Sequence, residues 1–387
     1  MTDIIKKKKK KGRPLLWILT FLSIIIIITI PIVFITIPIS KNIDVPLSFN
    51  KFNAYNHIVN QLALGYRIPG TQARIDCANY FVSEFQSIDP NFSYILHNFS
   101  VHGVACQNVL FKLNPHLNNI IILGAHYDSR AKATKDPLRP SDPVPGANDG
   151  ASGSAVLIEL ARVFYSVRNS LESQIWFLFF DAEDQGYDVA PGIPGWDWCE
   201  GSWEFANNID NFYNSATEYF EAMVLLDMVG GTGLKFIKEQ NSVASLLEEL
   251  FSTGRSLGYE DQFPINAETA SVTDDHVPFL SLGIPSAVLI INFWNNPNWP
   301  YHHTTSDDIA HISKESLEVT GKTVEQFIFN NFMKDSDYIG NYPWDDHIPP
   351  TDFIIFIIGV AIIIGISVIS IHYNRRKLWE KSKNEPL

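Results

Sequence analysis

Four short apolar runs, Ile120–Ala125, Ile175–Phe180, Ala222–Leu226 and Ala287–Ile291, show no alternation of apolar and polar residues. A strand with one wet face alternates with period two, so runs like these must be covered on both faces. Amphipathic helical patterns lie between them, for example Ala155–Val167 and Ser242–Leu257. Buried strands alternating with helices predict an α/β sandwich, its mainly parallel sheet flanked by helices on both sides. A further helix is expected after Gly70, running to Phe85 and N-capped by Thr71.

Polar residues follow each run. His126, Tyr127 and Asp128 follow the first run, Asp181, Ala182, Glu183 and Asp184 the second, and Asp227 the third; a loop carrying His302 and His303 follows the fourth. Asn148-Asp149-Gly150 stands just before a helical pattern. In open α/β sheets the carboxyl ends of the strands form the ligand crevice, so these side chains collect on one edge. A lone Asp at a strand end is ordinarily a cap or a loop residue, and Asp128 and Asp181 fit such supporting parts. A whole set on one edge points to a bound cation. Clustered acids raise one another's pKa, and a divalent ion removes that cost. Carboxylates and imidazoles without a Cys partner suit catalytic Zn²⁺, with about three protein ligands and one open position. Of the adjacent pair Glu183 and Asp184, one can face the metal and the other the reacting proton.

Two further segments lack charge altogether: residues 15–38 and 353–371, each long enough to cross a bilayer as a helix. Lysines 6–11 and Arg13 precede the first; Arg375, Arg376, Lys377, Lys381 and Lys383 follow the second. The positive-inside tendency puts both tails in the cytoplasm. The expected order is therefore a basic cytoplasmic tail (1–14), a transmembrane helix (15–38), a linker (39–53), an extracytoplasmic catalytic domain (54–335), a linker (336–352), a second transmembrane helix (353–371) and a basic tail (372–387). That order predicts a two-pass cell-membrane protein with the lipid bilayer as partner. The tails hold 12 of the 29 Lys+Arg and 3 of the 42 Asp+Glu, leaving 17 against 39, a charge of about −22 for the remainder. That excludes nucleic acid as a partner. Cys77, Cys106 and Cys199 allow one disulfide at most and match no thiolate metal site; Asn91 and Asn98 begin glycosylation sequons.

The segments HYDSR (126–130), PGANDGASGSAVLIELAR (145–162), FFDAEDQG (179–186), WCEGS (198–202), LLDMVGG (225–231), TDDHVPF (273–279), LGIP (282–285) and HTTSDD (303–308) occur in order. Together they resemble the M28 family of zinc peptidases, which includes the glutaminyl-peptide cyclotransferases, and the resemblance runs from about Gly65 to Phe329. It implies a three-layer sandwich around a mixed, mainly parallel sheet. It implies that Asp149, Asp184 and His303 hold a zinc ion and that Glu183 is the catalytic acid/base. In a two-metal aminopeptidase, His126 and Asp227 would hold a second zinc with Asp149 bridging. In a one-zinc cyclase, Asp227 would join a carboxylate network with Glu183 and Asp274.

DSR at 128–130, DAED with Gly186, WCEGS, the doubled Asp of TDDH and RIPGTQARIDCANYF (67–81) resemble the bacterial-type cyclases. The expected activity is conversion of N-terminal Gln to pyroglutamate with ammonia release, acting on peptide or protein N-termini. An M28 aminopeptidase is the alternative, and a catalytically inert binding ectodomain the third reading. The chain departs from the cyclase pattern at His302, where those enzymes commonly carry a Trp wall; Trp299 is a candidate substitute. Trp196, Trp198 and Trp203 either line a substrate pocket or pack beneath an insertion loop.

Overall fold

The computed structural model describes residues 45–334 and Trp344. The strands are β1 (Ser93–Val101), β2 (Val104–Leu113), β3 (Asn119–His126), β4 (Gln174–Phe180), β5 (Tyr219–Asp227), β6 (Lys238–Glu239), β7 (Thr269–Ala270) and β8 (Ser286–Ile290). The main sheet has the order β1-β2-β4-β3-β5-β8, with β6 and β7 paired separately. All four unalternating runs are strands, and they sit side by side as the parallel part, β4-β3-β5-β8. β1 and β2 extend it antiparallel past β4, so the sheet is mixed, as expected.

The side chains of β4 show why its sequence does not alternate. Phe177 and Phe179 face one layer, where Phe179 stacks on Phe81 at 4.4 Å between centroids and Phe177 meets Phe85 at 5.5 Å. Trp176 and Phe180 face the other, against Phe205 at 6.5 and 6.4 Å, and Phe180 also meets Phe279 at 5.9 Å. Both faces are dry, and truncating any of these rings to Ala would cost about 3–5 kcal/mol.

The first layer is built by the helices α1 (Lys51–Ala63), α2 (Gln72–Ile88), α3 (Ala151–Ser166), α5 (Ala244–Ser256) and α7 (Lys314–Phe332); the second contains α4 (Glu200–Asn207) and α6 (Val277–Ser281). The expected cap of α2 is present, with Thr71 accepting from the Arg74 amide.

The β1–β2 hairpin lies outside the sequence expectation. β1 is an edge strand and β2 pairs on both sides, with polar residues at His97, Asn98, Gln107, Asn108 and Lys112 breaking the apolar pattern. The turn between them is a two-residue one with both residues left-handed, His102 at φ 48° and Gly103 at φ 83°. That conformation matches the twist of paired strands and favours glycine. Asn91 and Asn98 are exposed here, and all three cysteines are buried and unpaired.

Residues 48–53, inside the stretch read as linker, are packed into the domain. The Ser48 and Phe49 amides donate to Glu325 at 2.7 and 2.9 Å, and Phe49 is buried over Gly321. Trp344 packs on Phe327 at 6.1 Å. The basic tails 1–14 and 372–387 and the apolar segments 15–38 and 353–371 lie outside the described residues, as does most of 336–352. Among the described residues no helix is long and apolar enough to cross a membrane.

Candidate metal centre

Three strands deliver the site. β3 ends at His126, β4 hands over to Asp181–Asp184, and β5 ends at Asp227, all at the carboxyl edge of the parallel strands. Asp149 sits in the turn before α3, and His302 and His303 lie in the loop between β8 and α7. The fold thus brings together every residue expected at the centre.

Asp149 is the hub. Its Oδ1 lies 3.1 Å from His126 Nε2, which is also 3.1 Å from Asp227 Oδ1. Its Oδ2 lies 3.8 Å from His303 Nε2 and 4.0 Å from His302 Nε2. His303 Nε2 is in turn 3.1 Å from Asp184 Oδ1. Ligand atoms around a tetrahedral ion with 2.0–2.1 Å bonds stand roughly 3.3 Å apart, so these spacings fit zinc. Asp149, His302 and His303 form one possible ligand group and His126, Asp149 and Asp227 another. Two orphans point the same way: Asp149 Oδ2 and Asp184 Oδ2 are buried with no hydrogen-bond partner. A buried carboxylate oxygen left unpaired costs about 1–3 kcal/mol or more unless something cationic satisfies it.

Other groups fix these ligands in place. Asp128 accepts from the Glu183 and Asp184 amides at 3.0 and 3.3 Å, from Gln185 Nε2 at 3.0 Å, and meets His126 Nδ1 at 3.4 Å. Burial pushes the Asp128 carboxyl up, but His126 and these donors outweigh it and hold it below the usual range. It is a support rather than a ligand. Asp181 turns the other way, accepting from the Gln107 amide at 2.8 Å and pairing with Arg74 Nε at 3.2 Å. Asp307 accepts from the Asn148 and Asp149 amides at 2.8 and 3.1 Å, and buried Arg67 holds the Pro145 and Gly146 carbonyls at 3.0 and 2.7 Å. Arg130 Nη1 takes Asp184 Oδ1 at 3.0 Å, leaving Oδ2 free. Ala182, Met228 and His303 adopt left-handed φ values of 62°, 49° and 57°. Non-glycine residues rarely do so, and such strain gathers at functional sites.

The acids expected to move protons lie beside the ligands. Burial, with Asp275, Asp184 and Asp274 nearby and His126 opposing, raises the Glu183 carboxyl well above its ordinary value. Burial and then Asp227 push Asp274 up to about 7. Burial also raises Asp227, against the pull of His126. All three open on one cavity of about 450 Å³. Its other wall is aromatic: Tyr187, Trp198, Phe293 and Trp294.

The tryptophan expectations divide. Trp198 lines the cavity, stacked 5.9 Å from His303 with the Arg130 guanidinium 5.0 Å over its ring. Trp196 is buried beneath the insertion loop with Val101, Cys106 and Ala182, and Trp203 does not line the cavity. Trp299 is wholly buried against Gly231 and does not line the cavity, whereas Trp294, nearer the strand end, does. Two charged residues were missed by sequence reasoning. Asp188 Oδ2 lies 2.9 Å from His303 Nδ1, and Lys135 Nζ lies 2.8 Å from the same oxygen. A carboxylate on the far nitrogen of a metal-binding histidine fixes its orientation and raises its basicity. Asp188 follows the FFDAEDQG segment by two residues, which is its only sequence signal.

The chain is similar to known proteins over most of the domain that carries this centre. The model for Peptidase family M28 matches residues 108–328. Aminopeptidase YwaD of Bacillus subtilis is 30% identical over 222 residues, 56% of this chain but only 42% of that protein. Tannerella forsythia glutaminyl cyclase is 31% identical with a TM-score of 0.66, covering 74% of this chain and 100% of that one. A Zn-dependent exopeptidase from Parabacteroides distasonis is 32% identical with a TM-score of 0.66, covering 74% and 99%. The family match takes in every residue of the sheet edge described above, and the chain belongs to peptidase family M28 as an enzyme of its zinc-dependent type.

Proposed function

We infer that the chain is a glutaminyl-peptide cyclotransferase, with Asp149, Asp184 and His303 holding one zinc ion and Glu183 carrying the proton. Zinc bound there would act as a Lewis acid toward the substrate's γ-carbonyl. In the reaction the α-amine nitrogen bonds to the γ-carbonyl carbon and the bond from that carbon to the amide nitrogen breaks. The proton lost by the amine passes through Glu183 to the leaving nitrogen, which departs as ammonia. A carboxyl raised by burial suits such a relay, because it holds a proton more readily than an exposed glutamate and can return it. Asp227 and Asp274, which line the same cavity, hold the reacting groups, and Tyr187, Trp198 and Trp294 exclude water from a small N-terminal residue.

The observation that carries this reading is Asp274. It is buried, opens on the same cavity as Glu183 and Asp227, and sits at about 7, so it can share protons with them. A hydrolase relying on two metals has less use for that third carboxyl. One observation favours the aminopeptidase reading: His126 Nε2 stands 3.1 Å from both Asp149 and Asp227, a second donor set that shares Asp149. The inert reading has no such support, since Asp149, Glu183, Asp184 and His303 all reach the cavity.

The test offers the full chain, in detergent, a Gln-initiated peptide and an aminoacyl arylamide side by side, and measures zinc per chain. Ammonia with a pyroglutamyl product and one zinc supports the cyclase; free amino acid and two zincs would replace it with the peptidase. Anchoring through 15–38 and 353–371, with the catalytic domain outside the cell, belongs to the same proposal. Resistance to alkaline extraction from membranes tests the anchoring, and protease access to the domain on intact cells tests its side.

A further inference from the structure

His302 and His303 are neighbours in sequence, their rings lie 3.6 Å apart, and both direct Nε2 toward Asp149 Oδ2, at 4.0 and 3.8 Å. Distance alone makes each a ligand. The partners on Nδ1 separate them. His303 Nδ1 lies 2.9 Å from Asp188 Oδ2, a carboxylate that only accepts, so His303 carries a proton on Nδ1; its Nε2, 3.1 Å from Asp184 Oδ1, is where a metal would stand in place of a second proton. His302 Nδ1 lies 2.9 Å from Lys135 Nζ, an ammonium that only donates, so His302 must accept there. Its proton is then on Nε2, and that nitrogen has no lone pair for a metal. The same Lys135 Nζ pairs with Asp188 at 2.8 Å, so one Lys–Asp pair assigns opposite tautomers to the two rings.

We propose that Lys135 locks His302 as an Nε2–H hydrogen-bond donor to the carbonyl oxygen of the reacting substrate, and thereby keeps it from becoming a metal ligand. The proposal rests on the reading that this cavity holds zinc and a peptide N-terminus. His302 lines the cavity, and at 4.0 Å its Nε2 is too far from Asp149 to spend the proton there. Phe293, 4.4 Å from its ring, and His303 hold the imidazole plane. A fixed donor aimed at an oxygen that gains negative charge is worth about 10²–10³ in kcat.

The experiment uses the full chain and four readouts. In metal-free protein, ¹⁵N–¹H correlations of the imidazoles, assigned with His302→Gln and His303→Gln, should find His302 protonated on Nε2 and not on Nδ1, and His303 protonated on Nδ1. By chelator competition, His302→Phe should keep zinc affinity within about threefold, while kcat falls about 10²-fold at little changed KM. His302→Gln, which restores an N–H donor, should recover part of that loss. Lys135→Met, at a half-exposed position, should release the lock, giving a mixed His302 tautomer, altered zinc affinity and a kcat lowered about tenfold. A His302 proton on Nδ1, a zinc affinity at least about tenfold weaker in His302→Phe, or an unchanged kcat there would each overturn the proposal. If the wild type turns over neither Gln peptides nor arylamides, the functional reading fails separately, and the tautomer and zinc readouts still decide the lock.

Discussion

Buried carboxylates in the helix layer and those on the sheet edge are treated in opposite ways. Glu325 on α7 accepts from the Ser48 and Phe49 amides, and Glu159 on α3 accepts from the Asn50 amide at 3.0 Å, from Asn53 Nδ2 at 3.1 Å and from Arg162. These acids fasten the N-terminal segment to the domain, and their donors come from the chain itself. On the sheet edge, Asp149, Asp184 and Asp274 each keep a buried oxygen without any donor. The same chain that completes one set leaves the other open. Since an unmet buried carboxylate is destabilising, the open set marks where a partner from outside the chain is expected.

The strongest test of that contrast is Glu183→Gln. It removes a proton acceptor and no ligand, so turnover should fall by about 10³-fold or more while zinc per chain stays unchanged. Loss of zinc in that variant would mean the roles of Glu183 and Asp184 are exchanged. Next, His303→Ala or Asp184→Ala should lower zinc occupancy, measured by metal analysis after gel filtration; unchanged metal content removes those residues from the ligand set. Glu325→Ala should do the reverse of both, costing about 2–4 kcal/mol in denaturant unfolding with zinc stoichiometry untouched, because it strands the two amide donors. Asp188→Ala should weaken zinc binding by about 10–100-fold without abolishing it, as seen by chelator competition.

The smallest effect is one of pH on the metal-free protein. Asp274 sits at about 7 when folded and near 3.8 when unfolded, so the folded state binds the proton more tightly. Its contribution is fully present below the unfolded value and is lost as pH rises through 7. Asp181, pushed up to about 8 by burial and Asp128 despite Arg74, acts in the same direction. The metal-free Tm should therefore fall between about pH 6 and 8, and Asp274→Asn should flatten that slope. Equal slopes in the two proteins would show that Asp274 is not a proton store.

Much of the site was legible because the chemistry forces residue types into recognisable positions. Glu183 and Asp184 directly follow a strand, where an apolar run stops abruptly and the acid cannot be core, while Asp149 announces itself in the turn before a helical pattern and His303 in the loop after the last run. The β1–β2 hairpin was less legible, since β1 lies at the sheet edge and is largely exposed, and Gln107, Asn108 and Lys112 interrupt the apolar residues of β2. The packing of Ser48 and Phe49 was hidden for a related reason. The contact that holds them is with Glu325, 277 and 276 residues away, and no local pattern announces a hydrogen bond across that distance.

The parallel character of the sheet's centre and the gathering of acids at its carboxyl edge follow from sequence alone, because burial on both faces and strand-end placement are local properties of the chain. The tertiary structure alone decided which partners the two adjacent histidines meet and which tryptophans line the cavity. Those outcomes depend on Asp188, Lys135 and Trp294, which reach the centre from separate loops. A tautomer or a pocket wall is set by whatever lies within about 3–4 Å in space, and spacing along the chain does not encode it.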